Sequence, residues 1–337
     1  MAIRTLLAAS CFPLALSLTV GDYARLDGGE ALVELLPAEA KEVAVRAVTR
    51  FDADPGHLIQ WTRRIDELHK GRYVDAVGRF SDPPRLSDLD ALSLHDDDLT
   101  DLRRCRPGKC GVKLSDAEIA QVRETIAAAG AGWKAAAQQT FRAIVLARAV
   151  QYLAEGHGGS ASYHDGRKPV LLDSEFAALA SEVALTHPRL FPLTNHLTLY
   201  PKGELADVES FLYWSKESLG AKPIVSITHV AMIENRERHR WEALVAKKQV
   251  YASHYLLASL SFTAVTASPD GSRRYLVYLN RSRSDVFDGL FGGFIRRTIA
   301  RRLRAEAPQA LHALRHRLES DPPGPPAMDE LRLHVVR

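Results

Sequence analysis

The most regular pattern in the chain is an alternation of apolar and polar residues that starts at Val250. Every second residue from Val250 to Ala264 is apolar except His254, and the positions between them carry mainly serine, threonine and tyrosine. Such alternation is typical of a β-strand with one buried face and one face in contact with water. We therefore predict one long strand here, and a turn at residues 269–271 that leads into an antiparallel partner strand over residues 274–281.

A long amphipathic helix is predicted to close the fold after these strands. Its apolar residues recur at every fourth position and continue beyond Pro308: Phe287, Phe291, Ile295, Ile299 and Leu303, then Leu311, Leu314 and Leu318. This spacing places them along one side of a helix. Ser284 and Asp285 can cap its start, and Pro308 predicts one break. Because an apolar stripe needs a partner surface, we expect it to lie on the apolar face of the preceding strands.

The earlier part of the chain predicts strands on either side of a group of helices. Alternation and β-branched or aromatic content predict strands at residues 41–51, 73–80, 197–200, 208–216 and 223–233. A helix is expected after Pro55, and three helical pieces between Ser115 and Leu185, the first opened by a capping box at Ser115 and Glu118. The acidic residues between Asp88 and Asp101 predict a solvated, negatively charged loop.

The N-terminus has the pattern of an export signal. A short positive start at residues 1–4 precedes an apolar run over residues 6–20, which resembles a secretory signal peptide over residues 1–21. The run is short for a membrane span and contains Pro13, although an uncleaved anchor stays open. We expect cleavage between about residues 17 and 24 and a periplasmic location. The proline-rich residues 320–337 predict an exposed tail.

Two cysteines outside the predicted signal peptide flank a predicted turn. Cys105 and Cys110 flank Pro107 and Gly108, which favour a tight turn. In an oxidising compartment this arrangement favours a structural disulfide. A metal clip or a redox pair is the alternative, but neither has its expected spacing or a second ligand pair nearby.

Composition and charge narrow the function classes. With 337 residues, 46% hydrophobic and 25% charged, the chain has the make-up of a folded globular protein. Its net charge of +3 is too small to indicate a nucleic-acid partner. The sequence contains no GxSxG motif and no evident nucleophile, base and acid set, so we assign no catalytic residue, no metal and no cofactor.

The order of elements resembles a known superfamily. Two segments carry the resemblance. One is VAVRAVTRFDADPGHLIQW (residues 43–61), near the start of the expected domain, and the other is YLVYLNRSRSDVFDGLFGGFIRRTIARRL (residues 275–303), near its end. Together with the helices and strands between them, these segments resemble the START-like, or SRPBCC, helix-grip superfamily. The resemblance implies an α+β domain over residues 38–319, in which a curved antiparallel sheet wraps a long C-terminal helix around a cavity for a hydrophobic ligand. The helices at about 115–185 would be an insertion into that fold.

Two histidines are candidates for such a cavity. His229 and His254 both fall on apolar registers and could hold the polar head of an otherwise apolar ligand. Each could instead be a core histidine satisfied by neighbouring hydroxyl groups. A metal site would need a third ligand, for which His196, Glu209 and Glu217 are available without a supporting motif. The residues predicted to line the cavity and its mouth are Tyr213, Trp214, His229, Tyr251, His254, Tyr278 and Arg281.

Arginine residues suggest two kinds of anion contact. Arg281 could bind a carboxylate or phosphate at the cavity mouth, or form an ordinary ion pair. The basic side of the closing helix could meet an anionic membrane surface, or simply be solvated. Its candidate residues are Arg296, Arg297, Arg301 and Arg302.

Three hypotheses follow from the sequence. The leading one is an exported protein that binds or carries a hydrophobic, lipid-like ligand without converting it. The second is an enzyme of unknown reaction that uses His229 and His254 as acid and base or as metal ligands. The third is a non-catalytic envelope module whose basic helix docks on a partner or a membrane.

Overall fold

The fold is mixed α+β, as predicted. The computed structural model describes residues 18–156, 162–218, 220–234, 241–268, 270–288, 291–322 and 324. The strands are β1 (Leu32–Leu36), β2 (Glu42–Phe51), β3 (Val74–Arg79), β4 (Ser162–Tyr163), β5 (Val170–Leu171), β6 (Glu209–Glu217), β7 (Ile224–Glu234), β8 (Ala243–Ala252), β9 (Leu256–Ala267) and β10 (Arg274–Ser284). The α-helices are α1 (Val20–Asp27), α2 (Gly56–Arg63), α3 (Ile65–Leu68), α4 (Asp96–Arg104), α5 (Asp116–Ala129), α6 (Trp133–Glu155), α7 (Leu172–Thr186), α8 (Phe191–Leu199) and α9 (Gly292–Glu319).

One large antiparallel sheet organises the molecule. Its eight strands lie in the order β1-β2-β10-β9-β8-β7-β6-β3, and the sheet is open, with β1 and β3 as its edges. The strands β4 and β5 form a separate short ribbon. Most neighbours in the large sheet are also neighbours in sequence, which is typical of antiparallel sheets joined by tight turns.

Helices cover both faces of this sheet. On the α9 face, the helices α2, α3 and α9 pack against residues such as Phe51, Val265 and Leu276. On the opposite face, which we call the α7 face, the helices α4 to α8 pack against residues such as Phe262 and Trp214. The region predicted as a helical insertion thus forms the second layer of the core. Among the described residues, no helix combines the length and hydropathy that a membrane span requires.

The predicted long strand from Val250 to Ala264 is wrong. The chain reverses at residues 253–255, so that β8 and β9 are antiparallel neighbours. Tyr255 has a φ of 58°, in the left-handed region that allows the reversal. The turn contains no glycine, proline or asparagine, and even-numbered residues such as Leu244 and Phe262 share the α7 face on both sides of it. The alternation therefore runs through the turn without a visible interruption.

The position predicted for the closing helix is also wrong. The apolar stripe of α9 does not lie on the even-numbered apolar face of β9, because α7 covers that face. Instead, Leu311 and Leu318 pack on the other side of the sheet with α2. The helix starts at Gly292 and continues through Pro308 without a break. Buried side chains beyond the proline hold the next turns in place, although Pro308 lacks the donor for one helical hydrogen bond.

Two further predictions are corrected locally. The strand expected at residues 197–200 is the end of α8 and the residue after it. The acidic stretch expected to be a solvated loop contains a 3-10 turn at Leu86–Leu89 and the helix α4. Asp98 in α4 is only 2% exposed. Negative side chains at the N-terminus of α4 are favourable because they meet the positive end of the helix dipole.

Other sequence predictions are confirmed. The capping box is formed, because the Ser115 side chain accepts from the Glu118 backbone and the Glu118 carboxylate accepts from the Ser115 backbone. Cys105 and Cys110 are paired, with their Cα atoms 4.3 Å apart. The predicted signal peptide lies mostly outside the described residues, as does most of the proline-rich tail, so both stay predictions.

Candidate functional site

The α9 face of the central strands is polar where a packed core would be apolar. The odd-numbered residues Ser259, Ser261 and Thr263 of β9 lie on this face, and all three are half-buried. Asn280 and Ser282 of β10 join them: the Asn280 amide donates to Ser259 Oγ at 3.1 Å, and the Ser282 hydroxyl donates to Asn280 Oδ1 at 2.9 Å. These side chains form a hydrogen-bonded wall that keeps some accessible surface.

The helix opposite this wall is only partly packed. In its C-terminal half, Leu311 is 4% exposed and Leu318 is fully buried. In its N-terminal half, Ile295, Ile299 and Leu303 are on the same stripe but stay half-buried. The helix packs mainly on β1, β2 and α2, towards one edge of the sheet. Side chains of both elements therefore keep some accessible surface, and we call the region between the N-terminal half of α9 and the central strands the α9 recess.

A lysine without a carboxylate partner lies at the α9 recess. Lys247 is half-buried and pairs with Ser261 across β8 and β9. Its Nζ is 5.6 Å from the centre of the Tyr213 ring. Among the described residues, no carboxylate lies within 4.0 Å of this Nζ and no hydrogen bond satisfies it. Burial lowers the pKa of Lys247 to about 8, and the charge of Glu217 offsets part of that effect.

Glu217 supplies the negative charge nearest to this lysine. Its Oε1 accepts from Ser215 Oγ at 2.7 Å and contacts His69 Nε2 at 3.0 Å. Burial raises the pKa of Glu217, but the hydrogen bond from His69, the charges nearby and the Ser215 hydroxyl outweigh it, so the pKa is lowered overall. The carboxylate is therefore held as an anion by His69 and Ser215, and it does not neutralise Lys247 by direct contact.

Two tyrosines and a glutamine complete the polar lining. Burial raises the pKa of Tyr278 to about 12, and it also raises the pKa of Tyr213, so both phenols are neutral donors at physiological pH. Gln249 lies opposite Thr228 in the sheet, which places it on the same face as Lys247. It is 7% exposed, and its buried Oε1 has no hydrogen-bond partner. A buried, unsatisfied amide oxygen costs free energy unless a further group donates to it.

The sheet divides the residues that the sequence predicted for one cavity. Tyr213 and Tyr278 lie on the α9 face. Trp214 and Tyr251 lie on the α7 face, where the Trp214 indole donates to the Asp88 carbonyl at 2.8 Å. Arg281 is also on the α7 face, and it is buried against Glu42. One cavity cannot be lined from both sides of a sheet, so the predicted set does not form a single site.

The two candidate histidines lie apart. The Nδ1 atom of His229 is 2.8 Å from the Tyr152 hydroxyl, and the Nε2 atom of His254 is 3.1 Å from Asp98 Oδ1. Ser253 hydrogen-bonds to Val225, four residues before His229 on β7. Four residues of a strand span roughly 13 Å, so the two imidazoles do not act on one substrate atom. Within the described ranges, no group of three or more histidine, cysteine or acidic side chains is placed to bind a metal.

Sequence reasoning did not single out Lys247 or Gln249, and it named Glu217 only as a possible third metal ligand. A signal for the first was present, because two adjacent lysines stand inside the strand ALVAKKQVYA, which is otherwise almost free of charge. Adjacent strand residues point to opposite faces, so at least one of the two lysines had to be directed towards a covered surface. The register that selects Lys247 for the α9 recess depends on the pairing of β8 with β9, which the sequence did not reveal.

No protein-family model, curated protein or solved structure matches this chain. Its function is therefore argued from the geometry of the α9 recess.

Proposed function

We propose that the protein binds an amphiphilic, lipid-like molecule in the α9 recess and does not convert it chemically. The proposal treats the sheet and α9 as a helix-grip arrangement of the START-like kind, with the ligand held between the N-terminal half of the helix and the central strands. In this proposal the half-buried stripe of Ile295, Ile299 and Leu303 contacts an apolar part of the ligand. The hydrogen-bonded wall on β9 and β10 contacts a polar part.

The unpaired ammonium of Lys247 is the observation that carries this proposal. A half-buried cation without a counter-ion is unfavourable in the empty protein, and a ligand carboxylate or phosphate would compensate it. The spare oxygen of Gln249 is available to a hydroxyl or amide group of the same head, and the Tyr278 hydroxyl, which is hydrogen-bonded to Ser261, is a further polar group of the lining. Pockets for apolar ligands commonly combine such an apolar surface with a few placed polar groups. Export to the periplasm is part of the proposal and rests on the N-terminal pattern alone.

Replacing Lys247 tests the proposal directly. We expect Lys247→Met to weaken binding of a fluorescent long-chain fatty acid by about tenfold or more, because a hydrogen bond to a charged group contributes about 1.5–3 kcal/mol. Binding of the matching fatty alcohol should change little. For the unchanged protein, fatty-acid affinity should fall as the pH rises through about 8, where Lys247 loses its proton. Fluorescence titration across this pH range measures both effects.

An exposed lysine in the helices on the α7 face provides the control. Lys134→Met removes one exposed positive charge from α6 and should leave fatty-acid affinity unchanged. Native mass spectrometry of gently purified protein should also show a retained hydrophobic molecule. Equal affinities of the Lys247→Met and Lys134→Met variants for the fatty acid, or no saturable binding to the unchanged protein, would contradict the proposal.

The exposed side of α9 favours a membrane as the source of the ligand. Phe291 and Phe294 are 74% and 65% exposed, and Arg297 and Arg301 are exposed without an ion pair in the described part of the chain. The positions 294, 297 and 301 fall on one side of the helix. The predicted membrane residues Arg296 and Arg302 are less available, because Arg296 donates to the Ala38 carbonyl and Arg302 pairs with Glu306. Aromatic and basic groups together suit an anionic membrane surface.

Vesicle binding tests this second proposal. We expect the protein to sediment with phosphatidylcholine vesicles that contain phosphatidylglycerol and to bind pure phosphatidylcholine weakly. The Arg297→Gln, Arg301→Gln double variant should lose about tenfold or more of that affinity, since each basic group near the surface contributes about 1 kcal/mol. Arg302→Gln is the matched control and should lose clearly less affinity for these vesicles than Arg297→Gln or Arg301→Gln alone. A larger loss for Arg302→Gln would contradict the assignment of this surface.

A further inference from the structure

A pocket lies in the helical layer, on the other side of the sheet from the α9 recess. It is formed where the end of α4, the disulfide loop, the middle of α5 and the start of α6 meet, and its volume is about 410 Å³. Cavities of this size accommodate small organic molecules. Its polar and aromatic lining consists of Thr100, Arg103, Arg104, Arg106, Arg123 and Trp133.

The four arginines of this pocket have no acidic partners. In the described part of the chain, none of Arg103, Arg104, Arg106 and Arg123 forms an ion pair within 4.0 Å. Other arginines of the molecule behave differently, as in the pairs of Arg148 with Glu118 and of Arg63 with Glu209. Part of the charge at Arg103 and Arg104 is compensated by the negative end of α4. Arg106 and Arg123 lie outside that helix, so the dipole of α4 does not account for the whole cluster.

Three of the four acidic residues of α4 contact other basic side chains. Asp96 pairs with Lys134 at 2.9 Å, Asp101 pairs with Lys222, and Asp98 contacts His254. The positive side of α4 is therefore not neutralised by the negative residues that are its neighbours in sequence. Like charges held together in one concave surface repel each other, and they are tolerated where a bound anion relieves the repulsion.

Two of the four exposed arginines are restrained, Arg103 at its side chain and Arg106 at its backbone. The Arg103 guanidinium lies 4.8 Å from the centre of the Trp133 ring, a cation–π contact that orders the side chain. Arg106 belongs to a turn that is closed by the Cys105–Cys110 bond and by backbone hydrogen bonds between Arg106 and Lys109. The same loop is anchored to the ribbon region by a hydrogen bond from the Gly108 amide to the His164 carbonyl at 2.8 Å. Restrained donors lose less entropy when they bind a ligand.

We propose that this pocket, which we call the arginine pocket, binds a compact anion that carries two or more phosphate or sulfate groups. Planar guanidinium groups form paired hydrogen bonds to the oxygens of such anions, and several of them around one cavity favour multiple charges over a single carboxylate. The pocket lies on the opposite face of the sheet from Lys247, so this binding is separate from that of the lipid-like ligand.

Calorimetric titration with inorganic tripolyphosphate tests the proposal. We expect saturable binding to the full chain, weakened at least tenfold in the Arg103→Gln, Arg123→Gln double variant. The Arg302→Gln, Arg304→Gln double variant on α9 loses the same net charge from exposed positions on another surface and should bind tripolyphosphate as tightly as the unchanged protein. Absence of saturable binding, or an equal loss in both double variants, would overturn the proposal.

A competition experiment distinguishes a free anion from a lipid headgroup. Vesicles of phosphatidylcholine with phosphatidic acid are titrated with protein in the presence and absence of tripolyphosphate. A headgroup ligand predicts that tripolyphosphate displaces the protein and that the Arg103→Gln, Arg123→Gln variant resists this displacement. A free anion predicts that vesicle binding is unchanged while the calorimetric signal persists. Both results support a polyanion at the arginine pocket, and fatty-acid binding at Lys247 should be unaffected in each case.

Discussion

Replacing Arg281 with methionine is expected to be among the most destabilising single changes in the molecule. Arg281 is 2% exposed and Glu42 is 1% exposed, and Arg281 Nη1 lies 2.5 Å from Glu42 Oε1. The second guanidinium nitrogen donates to the Pro37 carbonyl at 3.2 Å. Removing the cation leaves a buried carboxylate, which costs roughly 3–5 kcal/mol of the free energy of unfolding. Urea unfolding followed by far-UV circular dichroism measures the loss.

The pH dependence of this variant identifies the cause of the loss. Burial raises the pKa of Glu42 even in the presence of Arg281, and losing that partner should raise the pKa further. A carboxyl group whose folded pKa is raised contributes stability below its unfolded pKa and loses it as the pH rises through the folded pKa. The deficit of Arg281→Met should therefore shrink as the pH is lowered from 8 towards about 5.

Two controls separate the buried charge from lost packing. In the Glu42→Gln, Arg281→Met double variant no buried charge is left uncompensated, since the other acidic partner of Arg281, Glu182, is 42% exposed, so much of the stability should return. Arg302→Met breaks the exposed pair with Glu306, whose side chains are 53% and 48% exposed, and should change the stability little because water screens the pair. If Arg281→Met and Arg302→Met cost the same, Glu42 is not held as a buried anion.

Local patterns in the sequence predicted a large part of the fold. The alternation in β2 and β7, the capping box of α5 and the fourfold spacing of α9 are signals that neighbouring residues carry by themselves. Each of these elements is present. The cysteine pair belongs to the same group, because the turn between Cys105 and Cys110 is formed by the residues that separate them.

The faces of the sheet could not be predicted in this way. The turn at residues 253–255 carries no turn signature, so β8 and β9 were read as one strand, and the order of the sheet was lost with it. The serine and threonine register of β9 was expected to meet water, but it lies on the face that α9 covers. As a result, the sequence combined Trp214 and Tyr251 of the α7 face with Tyr213 and Tyr278 of the α9 face, and it did not single out Lys247 or Gln249. Pairing between strands, rather than local propensity, decides which side chains meet at a site.

The two adjacent lysines of β8 show how strongly the environment of a side chain depends on the face of the sheet that it occupies. Lys247 keeps some accessible surface at the α9 recess, whereas Lys248 is 1% exposed on the α7 face. Lys248 Nζ donates to the Leu197 carbonyl at 2.9 Å and lies 4.1 Å from the centre of the Phe176 ring. Among the described residues, no carboxylate is within 4.0 Å of it. Burial lowers its pKa to about 7, and the charge of Asp173 offsets only part of this.

We expect Lys248→Met to raise the free energy of unfolding at pH 7. In the unfolded chain Lys248 has its ordinary pKa of 10.5, whereas in the folded protein its pKa is about 7. Between these two pH values the unfolded state holds a proton that the folded state has already lost. The free energy of unfolding therefore rises with pH across this window, and the full cost of the buried charge is present below it. Methionine removes that cost and keeps the apolar contacts, for a net gain on the order of 2 kcal/mol after the loss of the hydrogen bond to Leu197.

The slope of stability against pH makes this prediction specific. Urea unfolding between pH 6 and about 9.5 should show stability rising with pH in the unchanged protein and rising clearly less in Lys248→Met. Lys247, through its pKa of about 8, and near pH 6 the histidines of lowered pKa, His187 and His196, supply the remaining slope. The buried tyrosines act mainly above this range, because the unfolded chain releases its phenol protons near their ordinary pKa of 10.0. Lys134→Met, an exposed change, should leave the slope intact. A Lys248→Met protein that is less stable at every pH, with an unchanged slope, would mean that the Leu197 carbonyl and the surrounding rings compensate the buried ammonium in full.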